Sequence, residues 1–195
     1  MATKKIGILG DGNVGSALAR GLERAGHEVR AVGKDKDAIR DAASWAEVVV
    51  LAVPFGAIDD VVKEVGNAIE GKTLIDVTNA LDAKMSLAMG FTTSGAEELQ
   101  KKIPRARVVK AFNTQFAQHM DSGRLSDQRL TVFVAGDDAA AKSDVTELAT
   151  AIGFEAVDAG PLANARLLEP LGYLNIQLGY VLGLGAQIGL KLVRG

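Results

Sequence analysis

The run Gly10-Asp11-Gly12-Asn13-Val14-Gly15 constrains this chain more than any other stretch of it. It follows the short apolar run Ile6-Gly7-Ile8-Leu9 directly. Behind it, Val14, Ala17, Leu18, Gly21, Leu22 and Ala25 recur at helical spacing. A G-x-G-x-x-G pattern carries weight only in such a strand–turn–helix setting, where each glycine has a steric task. Gly10 permits the tight turn, Gly12 leaves backbone open to a pyrophosphate, and Gly15 lets the helix pack close to the strand. The helix N-terminus then offers unpaired N–H groups and partial positive charge to phosphate oxygens. Gly10, Asp11, Gly12, Asn13 and Val14 are therefore candidate dinucleotide contacts. The plainer alternative is a glycine-rich turn that binds nothing.

Further β-branched runs occur at 28–32, 48–53, 73–77, 108–111, 130–135 and 155–158, with helical patterns between them. The middle runs are almost wholly apolar, as strands covered on both faces should be. Gly26 suits the end of the first helix. Ser94-Gly95-Ala96-Glu97 reads as a capping box opening a helix through Lys102. Asp137 can cap a helix running to about Ile152, and Trp45 is expected to pack a helix against the sheet. The alternation predicts an α/β fold, a doubly wound parallel sheet with helices on both faces. Residues 1–160 form the expected dinucleotide-binding domain. Residues 161–195 form an apolar helical extension, a pocket wall and dimer contact.

Ligands of open α/β sheets bind outside the carboxyl ends of the strands. The second run ends Ala31-Val32-Gly33-Lys34-Asp35-Lys36, where NAD sites usually carry an acidic residue. Gly33 leaves room there, and Lys34 and Lys36 could balance a 2′-phosphate, which favours NADP. Asp35 could still turn inward and serve NAD, and the whole stretch could be a solvated turn. After the third run, Val53, Pro54 and Phe55 are candidates to line the cofactor. After the fourth, Asn79 is a candidate hydrogen-bonding group near the nicotinamide ribose or ring. Both stretches could instead be turn formers.

Composition narrows the chemistry. Lys plus Arg number 22 against 24 Asp plus Glu, so no basic excess exists for nucleic acid or for a polybasic membrane contact. With no cysteine and two histidines, a zinc or haem site built from protein ligands is not expected. His27 is expected at the surface. His119 is weighed as an acid beside a hydride acceptor against a solvated side chain. The first apolar run is too short for a signal-peptide core, which points to the cytoplasm. Residues 170–190 carry no charge over a membrane-spanning length, yet Asn175, Gln177 and Gln187 would lie unpaired in lipid. A helix buried at a subunit interface fits better. Gly179, Gly183 and Ala186 along one face would admit a second copy, giving a homodimer.

Several motifs in order carry a resemblance: the glycine-rich turn, Val53-Pro54-Phe55, Lys110-Ala111-Phe112-Asn113-Thr114 and Asp158-Ala159-Gly160-Pro161-Leu162. The following Ala163-Asn164-Ala165-Arg166-Leu167-Leu168-Glu169-Pro170-Leu171 continues it. Together they resemble the NADPH-dependent oxidoreductases of the deazaflavin coenzyme F420, over nearly the whole chain. The stretch from Lys110 to Thr114 also resembles the reductase domain of the STEAP metalloreductases, which use NADPH and flavin. The resemblance implies a Rossmann domain, NADP(H) across the carboxyl edge of the sheet, and coenzyme F420 or a flavin stacked on the nicotinamide. It also implies a homodimer with the C-terminal helices near its interface. In one departure, Lys34-Asp35-Lys36 stands where a serine-arginine-arginine-like run is expected.

Hydride transfer between two rings needs alignment and exclusion of water rather than a protein nucleophile. No Ser/His/Asp set or carboxylate pair stands out, so no catalytic residue is named. Asn113 and Thr114 are the expected contacts to the second ring, and Gly160, Pro161 and Leu162 the expected wall of its pocket. Two other functions share the motifs. One is a non-catalytic dinucleotide-binding sensor or regulatory subunit. The other is an imine or carbonyl reductase, an architecture that usually carries a longer helical C-terminal domain.

Overall fold

The β-branched runs become the strands of one sheet in the computed structural model, which describes residues 2–195. The elements are β1 (Lys5–Leu9), α1 (Asn13–Arg24), β2 (Glu28–Val32), α2 (Lys36–Trp45), β3 (Val48–Leu51), α3 (Ile58–Val65), β4 (Thr73–Asp76), α4 (Gly95–Lys102) and β5 (Arg107–Lys110). A short hairpin follows, β6 (Arg124–Leu125) and β7 (Gln128–Arg129), then β8 (Thr131–Gly136), α5 (Ala139–Ile152), β9 (Glu155–Asp158) and α6 (Ala165–Ile176). Seven strands form a sheet in the order β2-β1-β3-β4-β5-β8-β9. Alternate side chains feed two cores. Ile8, Val50, Ile75 and Val109 meet α1 and α5 on one face, while Leu9, Val49, Leu74 and Val108 meet α2, α3 and α4 on the other. The result is the doubly wound Rossmann arrangement.

The sheet is not parallel throughout. β8 runs antiparallel to β5, pairing Val109 with Gly136, and β9 is parallel to β8. A parallel neighbour needs a crossover that returns the chain to the opposite edge. Between β5 and β8 the chain makes only a 3-10 turn at Ala117–His119 and the β6–β7 hairpin, so it re-enters the sheet from the edge it left.

Local signals set the helix ends, with two adjustments. Ser94 accepts from the Glu97 amide at 3.2 Å, but the Glu97 carboxylate is turned to a bidentate contact with Arg166 at 2.8 and 2.6 Å. Asp138, not Asp137, caps α5, because Asp137 accepts instead from the Leu162 amide at 2.9 Å. Trp45 closes α2 half-buried, with the Arg30 guanidinium of β2 4.1 Å from its ring centroid.

The C-terminal segment, legible in sequence as one long or broken helix, is a broken one. α6 runs into a π-turn at Gln177–Val181, and regular structure stops there. Gly183 and Gly185 take φ of +77° and +75°, left-handed values that end a helix rather than extend its face. The chain then folds back on its own sheet: the Thr131 amide donates to Leu190 O at 2.9 Å, and Gln115 Nε2 donates to the same oxygen at 2.9 Å. His119 belongs to this seam. It is buried, with Nε2 donating to Ala186 O at 3.0 Å, and is not solvated. His27 is likewise buried rather than superficial, accepting from the Lys4 amide at Nδ1. Burial, then the Lys4 charge, holds its pKa below the ordinary histidine range. Among the described residues, no helix is long and apolar enough to cross a membrane.

One buried ion network joins the layers. Lys110 Nζ lies 3.0 Å from Asp76 Oδ2, 3.1 Å from Glu169 Oε1 and 2.6 Å from Thr78 O, and all three charged side chains are fully buried. Glu169, on α6, also accepts the Gly95 and Ala96 amides at 2.8 and 3.1 Å, closing the N-terminus of α4. Burial alone would push the Lys110 ammonium down, but the carboxylates of Asp76 and Glu169 outweigh it and hold its pKa above the ordinary lysine value. Removing the cation would strand two carboxylates in the interior. Lys110→Met is expected to lose about 3–5 kcal/mol of unfolding free energy in a urea titration; a loss below about 1 kcal/mol would mean the carboxylates find other partners.

Candidate functional site

The cleft is built first by what the turn after β1 forbids. Gly10 has φ of +116°, and a Cβ there would fall 2.2 Å from Ala52 O. A Cβ on Gly15 would fall 1.8 Å from Gly10 O, so α1 can begin this close to β1 only with glycine at that position. At Gly12 a Cβ would meet nothing within 4 Å. Gly12 is also the N-cap of α1 and supplies no side-chain oxygen, so the first-turn amides of α1 are left for a ligand or water. These amides open onto a cleft of about 300 Å3 bordered by Gly12, Asn13, Val14, Val53, Pro54, Thr78 and Asn79. A second, more apolar hollow of about 670 Å3 shares Val53, Pro54 and Asn79 and extends to Phe55, Leu81 and Met85. A concave backbone cradle with uncapped amides, continuous with an apolar hollow, suits a dinucleotide and a second planar ring.

At the tip of β2 the sequence candidates separate. Asp35 is spent as the N-cap of α2, accepting the Ala38 amide at 2.8 Å, and does not turn toward a ribose. Lys36 Nζ is held by Glu64 Oε1 at 2.7 Å, and Arg40 binds the other oxygen of that carboxylate at 3.1 Å. Hydrogen bonding to Lys36 pulls the Glu64 carboxyl below the usual range. Lys34 is exposed and takes part in no ion pair among the described residues. Gly33 faces Asp11, whose Oδ2 would lie 2.7 Å from a Cβ at that position.

Asn79 and Asn113 meet directly. Asn79 Nδ2 donates to Asn113 O at 3.1 Å, and Asn113 Nδ2 donates to Asn79 Oδ1 at 3.1 Å and to Leu168 O at 2.8 Å. Phe112, in a left-handed conformation with φ of +66°, reverses the chain after β5 and aims Asn113 back at β4. Gly172 of α6 lies over the pair, since a Cβ there would fall 2.6 Å from Asn79 Oδ1. Asn113 and Thr114 are thus buried beneath α6, while Asn79 stays half-exposed at the cleft. Among the described residues, Thr78 Oγ1 at the cleft and Asn113 Oδ1 and Thr114 Oγ1 beneath α6 are buried without a hydrogen-bond partner.

Gly160, Pro161 and Leu162 do not wall this cleft. Gly160 O accepts from the Gly136 amide at the end of β8, and the next residue, Asp137, accepts from the Leu162 amide. Because β8 and β9 run against β1–β5, the turn after β9 lies at the opposite edge of the sheet from Gly12. Its place at the cleft is taken by Gly172, two turns further along α6. Sequence reasoning also missed Leu81 and Met85. Their only signal was apolar residues spaced through an otherwise polar loop after Asn79.

Residues 5–80 match the family described as NADP oxidoreductase, coenzyme F420-dependent. The F420-dependent NADP reductase of Methanothermobacter marburgensis is 32% identical over 210 aligned residues, covering 89% of this chain and 92% of that protein. Metalloreductase STEAP3 of Rattus norvegicus is 32% identical across 86% of this chain, but the chain spans only 36% of that longer protein. A crystal structure from Arthrobacter sp. FB24, provisionally assigned as an F420-dependent NADP reductase, superposes with a TM-score of 0.89 at 32% identity, covering 98% of this chain and 100% of that one. An imine reductase from Myxococcus stipitatus, at 16% identity and a TM-score of 0.69 over 92% of this chain and 63% of its own, shares the fold alone. Similarity that spans both chains almost from end to end, on a fold with an open glycine-rich cradle, assigns this chain to the coenzyme F420-dependent NADP oxidoreductase family.

Proposed function

We propose that this protein transfers a hydride between NADP(H) and a deazaflavin of the coenzyme F420 type, or a flavin, by direct contact of the two rings. The observation that carries the reading is the junction of two hollows at Val53, Pro54 and Asn79, one lined by the uncapped amides of α1 and the other apolar. Bound there, the nicotinamide supplies or accepts the hydride. The protein's own part is placement. The first-turn amides of α1 take the pyrophosphate, Val53 and Pro54 form a rigid side wall, and Asn79 offers its amide at the junction. Phe55, Leu81 and Met85 keep water from the second ring. Alignment of this kind is worth on the order of 7 kcal/mol or more of a bimolecular barrier, without a general acid. The STEAP resemblance keeps flavin open as the second ring. The reading also assigns the reaction to the cytoplasm, where NADP(H) is available.

Loss of reduced-nicotinamide absorbance after mixing NADPH with a deazaflavin, and separately with a flavin, tests the reaction. Transfer to either ring is the expected result. Tight binding with no transfer to either would favour the sensor reading instead. The cradle has its own test. Gly12→Val should remain folded and lose at least about a hundredfold in NADPH affinity. Gly15→Ala should instead destabilise the fold by about 2–3 kcal/mol, since its Cβ collides with backbone. Unchanged NADPH affinity in folded Gly12→Val would remove the cofactor from this turn.

A homodimer is part of the proposal, with its contact moved from the expected glycine stripe to the end of α6. Leu174, Tyr180, Val181, Leu182 and Leu184 are each more than half exposed there, a concentration a monomer rarely leaves uncovered. Sedimentation at micromolar concentration should give twice the 20.4 kDa chain mass, and Tyr180→Asp with Leu182→Asp should return it to the monomer. A wild-type monomer would end the dimer proposal.

A further inference from the structure

We propose that Asp11 sets the enzyme's choice between the two nicotinamide dinucleotides: its carboxylate reads the adenosine 2′ position, so that NADH is accepted alongside NADPH. The inference rests on the reading of the glycine-rich turn as the dinucleotide cradle.

In α/β dinucleotide sites, the group at the tip of β2 faces the 2′ position. Here that tip is Gly33, which has no side chain. The space above it is filled from the neighbouring turn. A Cβ placed on Gly33 would stand 2.7 Å from Asp11 Oδ2 and 3.0 Å from Cγ and Oδ1. The carboxylate therefore occupies the volume that an acidic residue at the tip of β2 would fill, although it comes from the turn after β1. Its backbone is fixed on both sides. The Gly10 amide donates to Val32 O at 2.8 Å, tying the two tips together, and Ser16 Oγ donates to Asp11 O at 2.8 Å. Neither oxygen of the Asp11 carboxylate accepts a hydrogen bond from another of the described residues, so both can accept from ribose hydroxyls.

The surrounding charges sharpen the effect. A 2′-phosphate needs cations, and most of those nearby in sequence are occupied. Lys36 and Arg40 both bind the Glu64 carboxylate. Asp35 faces the α2 amides. Among the described residues, Lys34 beside Gly33 takes part in no ion pair and is left to balance the phosphate. A site with one carboxylate and one mobile ammonium favours the 2′-phosphate only weakly over a hydroxyl, because the anionic oxygens of phosphate and Asp11 repel while a ribose hydroxyl donates to Asp11.

Equilibrium titration of reduced-nicotinamide fluorescence tests this without turnover. Wild-type protein should bind NADPH and NADH with affinities within about tenfold of each other. Asp11→Asn keeps the size and removes the charge. It should tighten NADPH by about tenfold while leaving NADH unchanged or weaker, with thermal unfolding unaltered because the side chain is exposed. Lys34→Ala should move the ratio the other way, toward NADH. If Asp11→Asn changes neither affinity, or changes both by the same factor, the carboxylate does not read the 2′ position and the inference is overturned. If wild-type protein binds neither dinucleotide, the failure lies in the cradle assignment itself, a separate result.

Discussion

Lys110, with Asp76 and Glu169 on either side, is the contact on which the rest of the arrangement hangs. Three charges sit where no water reaches them. Each would cost several kcal/mol to bury alone, and mutual attraction offsets this only when the remaining lone pairs and protons are also satisfied. They are. Asp76 Oδ1 takes the Thr78 amide at 2.9 Å, Lys110 gives a further proton to Thr78 O, and Glu169 takes two amides of α4. Two carboxylates face one ammonium, and the excess negative charge lies at the positive end of α4. The network therefore has one low-energy arrangement. That arrangement brings the carboxyl ends of β4 and β5, the start of α4 and the middle of α6 to one point.

The cleft inherits its shape from this point. Thr78 and Asn79 follow Asp76 directly, so the turn that presents Asn79 is held from below. Glu169 fixes the register of α6, which delivers Gly172 onto the Asn79–Asn113 pair three residues later. On the other side, Gly10 and Gly15 bring α1 against β1 and leave its first-turn amides bare. One wall is set by steric exclusion and the other by buried charge. The hollow between them is what remains when both are satisfied.

This division explains what the sequence could disclose. The glycine-rich turn, the strands and the helix caps at Ser94 and Gly26 depend on residues a few positions apart, and their signals are steric and periodic. The partnership of Lys110 with Glu169 joins residues 59 positions apart, and nothing in either local stretch marks it. The same holds for His27 and His119, which look solvated in sequence because their neighbours are polar. Their burial is decided by Lys4 and by the returning tail. The direction of β8 was equally hidden, since a short irregular connection and a crossover helix carry similar composition over so few residues. The reversal of β8 carries Gly160, Pro161 and Leu162 to the edge of the sheet away from Gly12. The partners of Asp35 and Lys36 were open in the sequence for a different reason. Capping and ion pairing compete with ligand binding for the same side chains, and here the local partners win.

α6 connects features that the sequence presents separately. Its 12 residues span about 18 Å. The Leu162 turn before it lies at the edge of the sheet away from the cleft, and its Gly172 reaches the cleft edge. Beyond Gly172 the same helix continues through Asn175, which donates to Thr114 O at 3.2 Å, into the exposed apolar group around Tyr180. Gly179 packs against Phe116, and Tyr180 stands edge-on to the same ring at 5.2 Å. A helix with a buried carboxylate at its middle and a glycine on the asparagine pair cannot slide or rotate without breaking one of them. Any partner that covers Tyr180 therefore presses on an element already locked to the floor of the cleft. A contact at Tyr180 would reach the asparagine pair through the π-turn at Gln177–Val181 and then α6.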